Sequence, residues 1–307
     1  RIDFHDPGGR VLVVIPTRDR GDLLRACIES LRRTTSPDDL DIVIIDHEST
    51  DVATLAYLRD LGDRVRIMPY EGVFNYSQMN NLAVERFGGE TPFVLFMNND
   101  IEAMTPGWLE RMRASASMED VGAVGATLLY PDNRVQHAGV VIGPGGFAEH
   151  AMKFAPYEID GRRNPGYNCS LLAVRDWSAV TGACLMMKTQ TFRSVGGFDE
   201  DLPVGFNDTD LCLRLGAQGL SILNDGSAVL RHHESATRAK GEGMAHPEDS
   251  ARFAARWRDL IAAGDPFYSP LLSLDRDHSP EHPDTARLRP RIVSAVRPGR
   301  TPAAPHA

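Results

Sequence analysis

The chain has 307 residues, of which 42% are hydrophobic and 24% are charged, so it can bury a sizeable core and fill about two domains. Its 33 basic and 42 acidic residues give a net charge of −9, which excludes a general nucleic-acid-binding surface. No stretch approaches the roughly 18 uninterrupted apolar residues that a membrane-spanning helix needs. The chain starts at Arg1 rather than at a methionine, without an apolar signal segment, and we expect it to be part of a longer, multidomain protein. None of its four cysteines makes a C-x-x-C pair, and Cys27, Cys184 and Cys212 lie within apolar runs, which predicts buried free thiols in a reducing compartment.

Apolar runs and helical patterns alternate from residue 11 onward. The run Val11–Ile15 is apolar at every position, as expected of a strand buried on both faces, and helical spacing follows through Leu31. Further strands are predicted at Ile42–Ile45, Val65–Met68, Phe93–Met97 and Val121–Leu129, and further helices at Thr54–Leu61, Ser77–Phe87 and Pro106–Ser117. This alternation predicts an α/β fold with a Rossmann-like, mostly parallel sheet flanked by helices.

The second half of the chain is less regular. Residues 131–176 are rich in turn residues, which predicts an excursion over one edge of the sheet. Regular patterns then predict a strand at Ala179–Met187, helices ending at Gly196-Gly197 and over Asp210–Ala217, a strand at Ala228–Leu230 and one amphipathic helix over Pro247–Ala263. From about Ser279 the chain is rich in Pro and Arg without an apolar period, which predicts a disordered tail or a linker.

Polar clusters follow three of the predicted strands, at Pro16-Thr17-Arg18-Asp19, at Asp46-His47-Glu48-Ser49-Thr50 and at Asn98-Asn99-Asp100. Ligands of open parallel sheets bind beyond the carboxyl ends of the strands, so these clusters predict one binding rim. No G-x-G-x-x-G and no Walker loop follows the first strand, which excludes a dinucleotide oxidoreductase and a P-loop kinase. A divalent cation is the usual substitute for such a phosphate-binding loop.

Three motifs carry candidate chemistry, and each has a structural alternative. Asp100 at the tip of a buried strand can hold Mg²⁺ or Mn²⁺, or it can end the strand in an Asx turn. Asp208, predicted just ahead of a helix, can be a general base or only an N-cap. His232 and His233, as neighbours in a strand, point to opposite faces, so at most one faces a metal and both can be structural.

Asp210 is the next candidate for the base after Asp208. Its spacing from Arg214 also predicts an ion pair on the surface of a helix.

Taken in order, the motifs resemble a family 2 glycosyltransferase of the GT-A fold, and in particular bacterial members that build polysaccharide, O-antigen or rhamnose-rich glycans. The resemblance runs from about Val11 to Arg238. It rests on Val-Ile-Pro-Thr-Arg-Asp-Arg at 14–20, Asp46 with Ser49-Thr50, Asn98-Asn99-Asp100, Thr181-Gly182-Ala183, Gly196-Gly197-Phe198-Asp199-Glu200, Asn207 to Arg214, and His232-His233-Glu234-Ser235.

The resemblance implies a role for each matching position. Donor-binding positions are Pro16, Thr17, Arg18, Asp46, Asn80, Asn81, Asn98 and Asn99, and acceptor-side positions are Gly182, Ala183 and Asn207. It makes Asp208 the catalytic base and Asp100 the ligand of Mn²⁺ or Mg²⁺, with His232 completing the metal site ahead of His233. Two positions depart from the family pattern, because Asn98 replaces the first Asp of D-x-D and Asn207 replaces the Glu of Glu-Asp.

The implied function is a metal-dependent, inverting transfer of a hexose or deoxyhexose from a UDP-, dTDP- or GDP-sugar to a hydroxyl of a glycan or lipid-linked acceptor in bacterial surface polysaccharide synthesis. The expected location is the cytoplasm, with peripheral contact to the inner membrane.

A catalytically silent sugar-nucleotide or glycan-binding module is the alternative, whereas a nucleotidyltransferase would need a Gly-rich basic loop after the first strand. The expected regions are a GT-A domain over 1–240, with a donor half at 10–130 and an acceptor half at 131–240, a helical extension at 241–278 and a tail at 279–307.

Overall fold

The computed structural model describes residues 4–62, 65–89, 91–233 and 246–274. The strands are β1 Val11–Thr17, β2 Leu40–His47, β3 Val65–Tyr70, β4 Phe93–Met97, β5 Ile101–Ala103, β6 Val121–Leu129, β7 Val135–His137, β8 Val140–Ile142, β9 Ala148–His150, β10 Glu158–Ile159, β11 Arg162–Arg163, β12 Val174–Asp176, β13 Cys184–Lys188 and β14 Ser221–His232. The helices are α1 Gly21–Thr34, α2 Val52–Asp60, α3 Tyr76–Phe87, α4 Trp108–Ser117, α5 Thr189–Ser194, α6 Asn207–Ala217, α7 Pro247–Arg256 and α8 Arg258–Ala263.

One ten-stranded mixed sheet organises the fold, with a main path in the order β12-β14-β6-β13-β4-β1-β2-β3. The neighbours β4, β1, β2 and β3 run parallel, as do β6 and β14. Strand β13 lies antiparallel between β4 and β6, and the short strands β5 and β7 pair with β14 and β6. The predicted mostly parallel α/β sheet with flanking helices is therefore confirmed.

Strand β1 is buried on both faces, as its unbroken apolar run predicts. Val13 and Ile15 pack into the core cluster that includes Leu24 of α1, whereas Leu12 and Val14 pack into the second cluster on the other face of the sheet. Successive side chains of a strand point to opposite faces, so each face of β1 needs its own helical layer. Helices α1, α2 and α4 cover one face, and α3, α5, α6 and α7 cover the other.

Several predicted helix boundaries are wrong, and backbone conformation accounts for those of α4 and α6. Helix α4 begins at Trp108 rather than at Pro106, because Gly107 at its N-cap has a φ of 90°. Helix α6 begins at Asn207 rather than at Asp210, since the left-handed Phe206, with a φ of 60°, ends the preceding turn. The predicted final helix is two helices, α7 and α8, which separate at the non-helical Trp257.

The turn-rich segment 131–176 is more than an excursion over an edge. Strand β7 extends the main sheet beside β6, and β8 pairs with β9 in a hairpin that is bridged to Ala179. Gln136 and His137 of β7 are buried although both are polar. This segment therefore forms part of the core and supplies one wall of the cleft described below.

Helix α7 packs against the loop that leads into α6. The Asp249 carboxylate accepts hydrogen bonds from the backbone N–H groups of Val204 (3.0 Å) and Gly205 (2.6 Å). The Phe253 ring stacks on Phe206 with ring centroids 4.7 Å apart.

The predicted extension 241–278 is described only at 246–274, and the predicted tail 279–307 lies outside the described residues. Among the described helices, none combines the length and apolar character needed to cross a bilayer.

A buried arginine ties the N-terminal segment to helix α4. Arg113 is 3% exposed and donates to both Asp6 carboxylate oxygens at 2.7 Å, to the Gly9 carbonyl at 2.6 Å and to Asp39 at 3.1 Å. Burial alone would raise the pKa of Asp6, but the hydrogen bonds from Arg113 and Gly8 outweigh burial and lower the pKa below its usual value. The carboxylate form of Asp6 therefore stabilises the fold.

We predict that Asp6→Asn lowers the free energy of unfolding at pH 7 and that this loss shrinks as the pH falls. Folding lowers the Asp6 pKa, so the stabilisation is complete above its unfolded pKa of about 3.9 and disappears as the pH falls through the lower folded pKa. Urea unfolding of both proteins at pH 7 and at lower pH measures the difference. Asp38→Asn, which removes an exposed carboxylate, is the control. A stability difference that does not change with pH contradicts this account of the Arg113 contact.

Candidate active site

The carboxyl ends of β1 and β4 open into one cleft of about 760 Å³. Eleven of the predicted site residues line it: Pro16, Thr17, Arg18, Asn98, Asn99, Asp100, Gly182, Ala183, Asn207, Asp208 and His232. The antiparallel direction of β13 explains part of this grouping, because the chain entering β13 lies at the same rim as the end of β4. The Asn98 N–H accordingly donates to the Ala183 carbonyl at 3.0 Å.

Three predicted donor-binding residues lie outside the cleft lining. The Asp46 carboxylate accepts from the Ser49 N–H at 3.2 Å. Asn80 is fully buried, and its amide donates to the Tyr76 carbonyl of the same helix at 2.8 Å. The Asn81 side chain donates from Nδ2 to the Phe198 carbonyl and accepts from the Phe198 N–H at Oδ1, each at 2.9 Å. The donor-binding role of these three residues stays a prediction.

The loops after β1 and β2 hold each other at the rim. Asp19 Oδ1 accepts from the N–H groups of Thr50 (2.7 Å) and Asp51 (2.8 Å), and these two bonds lower the pKa of Asp19 below its usual value. The Asn99 amide donates to the Thr17 hydroxyl at 2.8 Å, which joins the ends of β4 and β1. The polar clusters therefore form one connected rim.

Asp100 and His232 form a carboxylate–imidazole pair at one corner of the cleft. Asp100 Oδ1 lies 3.0 Å from His232 Nε2, and the exposed fractions of the two residues are 8% and 6%. Strand β14 pairs with β5 so that His232 lies opposite Ile101, and the His233 N–H donates to the Asp100 carbonyl at 2.9 Å. Burial would raise the pKa of Asp100, but the hydrogen bond from His232 and its charge lower it below the usual value.

The two vicinal histidines diverge, as the strand geometry predicts. His232 lines the cleft, whereas His233 Nε2 lies 3.1 Å from Glu102 Oε2, outside the cleft lining. The structure therefore selects His232 as the imidazole beside Asp100. Glu234 and Ser235 of the same motif lie outside the described residues.

Asp208 lies in the first turn of α6 with its carboxylate held from two sides. Oδ2 accepts from the Gly182 N–H at 2.7 Å, and Oδ1 accepts from the Thr209 N–H at 2.6 Å. The N-cap position belongs to Phe206, so the prediction that Asp208 lies ahead of the helix is wrong, and so is the N-cap alternative. Each carboxylate oxygen has two lone pairs, so Asp208 keeps the capacity to accept from a molecule in the cleft.

Asp210 is a structural residue. It is fully buried and accepts from Arg214 Nε (2.7 Å), Arg256 (2.8 Å) and the Trp257 indole (3.0 Å). The predicted ion pair with Arg214 exists, but it is part of a buried network rather than a pair on the helix surface. Asp210 is outside the cleft lining, so its place as the next candidate base is not supported.

Several cleft residues escape the sequence analysis, and most of them lie in the segment 131–176. Gln136, Glu149, His150 and Lys153 line the cleft together with Tyr76 of α3. Burial lowers the pKa of His150 despite the neighbouring charge of Glu149, which keeps the imidazole neutral near pH 7. One signal was available: Gln136 and His137 interrupt an otherwise apolar stretch, and buried polar residues need partners.

The Asp100–His232 pair fits a divalent cation. Carboxylate and imidazole are both ligands that Mn²⁺ accepts. Adjacent ligands about 2.1 Å from one ion lie about 3 Å apart, which agrees with the separation of Asp100 Oδ1 and His232 Nε2. The described residues contain no group of three or more His, Cys, Asp or Glu side chains arranged for a metal, so donor oxygens and water would complete the coordination.

Comparison with known proteins identifies the family. The sequence model of glycosyl transferase family 2 matches residues 12–168, so the chain belongs to this family. The uncharacterised protein y4gI of Sinorhizobium fredii is 41% identical over 87% of this chain, and the O-antigen biosynthesis protein RfbC of Myxococcus xanthus is 37% identical over 86%. The chain spans only 29% and 20% of the lengths of these two relatives.

A shorter relative is also a glycosyltransferase by name, and two solved structures share the fold. The N-acetylglucosaminyl-diphospho-decaprenol L-rhamnosyltransferase of Mycobacterium tuberculosis is 28% identical, over 73% of this chain and 76% of its own. GalNAc-T7, crystallised with UDP, GalNAc and Mn²⁺, superposes with a TM-score of 0.65 at 13% identity, over 84% of this chain and 50% of its own. The mannosyltransferase PcManGT of Pyrobaculum calidifontis, in complex with GDP-Man and Mn²⁺, superposes with a TM-score of 0.56 at 17% identity, over 83% of this chain and 65% of its own. These likenesses confirm the predicted GT-A fold.

We predict that Asp210→Ala lowers the free energy of unfolding by about 1–3 kcal/mol, because it leaves the Trp257 indole and the partly exposed guanidinium groups of Arg214 and Arg256 without their buried acceptor. Asp208→Ala should lower the free energy of unfolding by clearly less, since the donors that it leaves without an acceptor are backbone N–H groups at the open cleft. Chemical denaturation of the two variants and the wild-type protein measures the difference. Equal losses in the two variants contradict the assignment of Asp210 to structure and Asp208 to the cleft.

Proposed function

We propose that this chain is a metal-dependent, inverting glycosyltransferase that moves a sugar from a nucleoside-diphosphate sugar to a hydroxyl of a glycan or lipid-linked acceptor. The observation that carries the proposal is one cleft that contains both the Asp100–His232 pair and the carboxylate of Asp208. The family and the GT-A fold supply the reaction class. The nucleotide sugars and Mn²⁺ named for the two solved structures support a nucleoside-diphosphate donor, such as a UDP-, dTDP- or GDP-sugar.

The donor end of the cleft is the rim formed by β1 and β4. Thr17 and Asn99 are fixed by their mutual hydrogen bond, and the exposed Arg18 beside them offers a cation to the donor phosphates. Asp100 and His232 are the residues that would hold Mn²⁺ or Mg²⁺ against the diphosphate. When bound, such an ion neutralises the negative charge that develops on the leaving diphosphate.

Asp208 is the group that can activate the acceptor. A sugar hydroxyl is a weak nucleophile, and a carboxylate positioned to take its proton as the new bond forms acts as a general base. The Gly182 and Thr209 N–H groups fix the carboxylate in one orientation and leave lone pairs for the hydroxyl. A single displacement, with Asp208 taking the proton and the diphosphate leaving, inverts the anomeric carbon.

The proposed setting is bacterial surface polysaccharide synthesis with a hexosyl or deoxyhexosyl donor. It is supported by the names of two relatives, an O-antigen biosynthesis protein and a rhamnosyltransferase whose acceptor is a lipid diphosphate. Sugar nucleotides are made in the cytoplasm, so we place the reaction there, at the inner membrane when the acceptor is lipid-linked. The 29% and 20% coverage of two relatives supports the further proposal that the chain works within a longer multidomain protein.

The alternative, a catalytically silent sugar-nucleotide or glycan-binding module, takes its support from Asn98 and Asn207, which replace acidic residues of the family pattern. Both asparagines contact the candidate site residues. Asn207 Oδ1 accepts from the Asp208 N–H at 2.7 Å, and the Asn98 amide nitrogen lies 3.4 Å from His232 Nε2. Hydrolysis of UDP-, dTDP- and GDP-sugars with and without Mn²⁺ separates the two functions. Binding of a nucleotide sugar without any turnover supports the silent module.

We predict that Asp208→Asn lowers turnover by about 10²–10⁴-fold, the typical contribution of a general base. The amide keeps the size of the side chain but cannot take the proton of the acceptor. The affinity for the donor should stay close to that of the wild-type protein. Turnover with a sugar acceptor, or donor hydrolysis, and a nucleotide-binding titration measure the two quantities.

Asp201→Asn is the matched control for Asp208→Asn. Asp201 belongs to the loop before α6, its side chain is 83% exposed and it is outside the cleft lining. The control should keep wild-type turnover. Near-wild-type turnover in a folded Asp208→Asn protein contradicts the assignment of the base.

We also predict that Asp100→Ala abolishes transfer and weakens binding of UDP or GDP in the presence of Mn²⁺, because it removes the carboxylate that would hold the metal beside the donor diphosphate. Isothermal titration with and without Mn²⁺ should show that wild-type binding depends on the metal and that the variant has lost this dependence. Asp132→Ala, which removes an exposed carboxylate outside the cleft, is the control. Full wild-type activity in excess EDTA contradicts metal dependence.

A further inference from the structure

Gln136 of β7 contacts two of the imidazoles that line the cleft, those of His150 and His232. Its side-chain Oε1 lies 2.8 Å from Nδ1 of His232, and its backbone carbonyl lies 3.1 Å from Nδ1 of His150. The residue is 1% exposed, so water does not compete for these contacts. It is the bulged residue of this short strand, and its neighbours Val135 and His137 pair with Leu129 and Leu128 of β6.

The two contacts set the tautomer of each ring. A carbonyl oxygen accepts and cannot donate, so the ring nitrogen that faces it must carry the hydrogen. In a neutral His150 this hydrogen is on Nδ1, and when His232 binds a metal through Nε2 the one N–H that it keeps is likewise Nδ1–H. Each ring then presents the bare lone pair of Nε2 on its other side.

For His232, Nε2 faces the Asp100 carboxylate. Nε2 lies 3.0 Å from Asp100 Oδ1, so a cation bound beside both atoms would take the place of the hydrogen bond between them. A metal-ligating histidine commonly donates its other N–H to an oxygen of the protein, which fixes the ring and its tautomer. Gln136 Oε1 supplies that oxygen here.

We propose that Gln136 is a positioning residue that prepares His232 as a metal ligand by accepting its Nδ1–H and turning the Nε2 lone pair toward Asp100. This inference rests on the proposed function, because it presupposes the metal at Asp100 and His232. It assigns a function to the segment 131–176, since the same residue also holds His150 through its carbonyl. One buried residue therefore contacts both His150, in the cleft wall formed by the segment 131–176, and His232 beside Asp100.

The test measures Mn²⁺ affinity by electron paramagnetic resonance of the free ion, with UDP and separately with GDP, and does not depend on turnover. Gln136→Leu keeps an apolar side chain of similar size but removes the acceptor, and Mn²⁺ should bind about 10–100-fold more weakly, as expected for the loss of a partner of a metal-bound histidine. Gln136→Glu keeps an oxygen acceptor and should retain wild-type affinity or exceed it. Asn224→Leu is the matched control, because it deletes another fully buried amide of the same sheet, outside the cleft lining.

The outcomes separate this inference from the proposed function. Wild-type protein that binds no Mn²⁺ with either nucleotide contradicts the metal site itself. Wild-type Mn²⁺ affinity in a folded Gln136→Leu protein, or a Gln136→Glu protein as weak as Gln136→Leu, contradicts the role of Gln136 alone. If Gln136→Leu does not fold, the ¹⁵N spectrum of the metal-free wild-type protein decides: a His232 ring protonated at Nδ1 supports the inference, and one protonated only at Nε2 overturns it.

Discussion

The antiparallel register of β5 and β14 is the constraint on which the site depends. It places His232 opposite Ile101, so that the imidazole meets the carboxylate of Asp100, the residue just before β5. A slip of one residue would turn His232 to the other face of the sheet and present His233 instead. The long strand β14 resists such a slip because it also pairs in parallel with β6 in the interior of the sheet. Backbone pairing rather than local sequence therefore brings Asp100 and His232 together.

The sheet also decides which groups meet across the cleft. The parallel strands β1 and β4 end at one rim, and β13, which runs the other way, begins there. The Gly182 N–H just before β13 is thereby placed to hold the Asp208 carboxylate. The proposed displacement at a sugar diphosphate needs a cation site and a carboxylate base. The fold places the candidate residues for both in one cleft without a Gly-rich phosphate loop.

Much of this arrangement could be predicted from the sequence, and the reason is local. The apolar runs of β1, β2 and β4 are unbroken, so their burial on both faces and the polar rim after them can be read directly. Asp100, Asp208 and His232 belong to short motifs in a family-specific order. Gln136 could not be found in this way, because its partners His150 and His232 are distant in sequence and its strand has only three residues. The start of α6 was misplaced because a left-handed Phe206 gives no sequence signal.

The central claim is that Asp100 and His232 together hold the cation that binds the donor diphosphate. Anomalous diffraction from crystals grown with Mn²⁺ and UDP or GDP tests it most directly, since the signal locates the metal independently of any assay. The account predicts one manganese peak in contact with Asp100 Oδ1 and His232 Nε2, with phosphate oxygens on its other side. A nucleotide bound in the cleft with no metal at this corner, or with manganese held by other residues, would contradict the account.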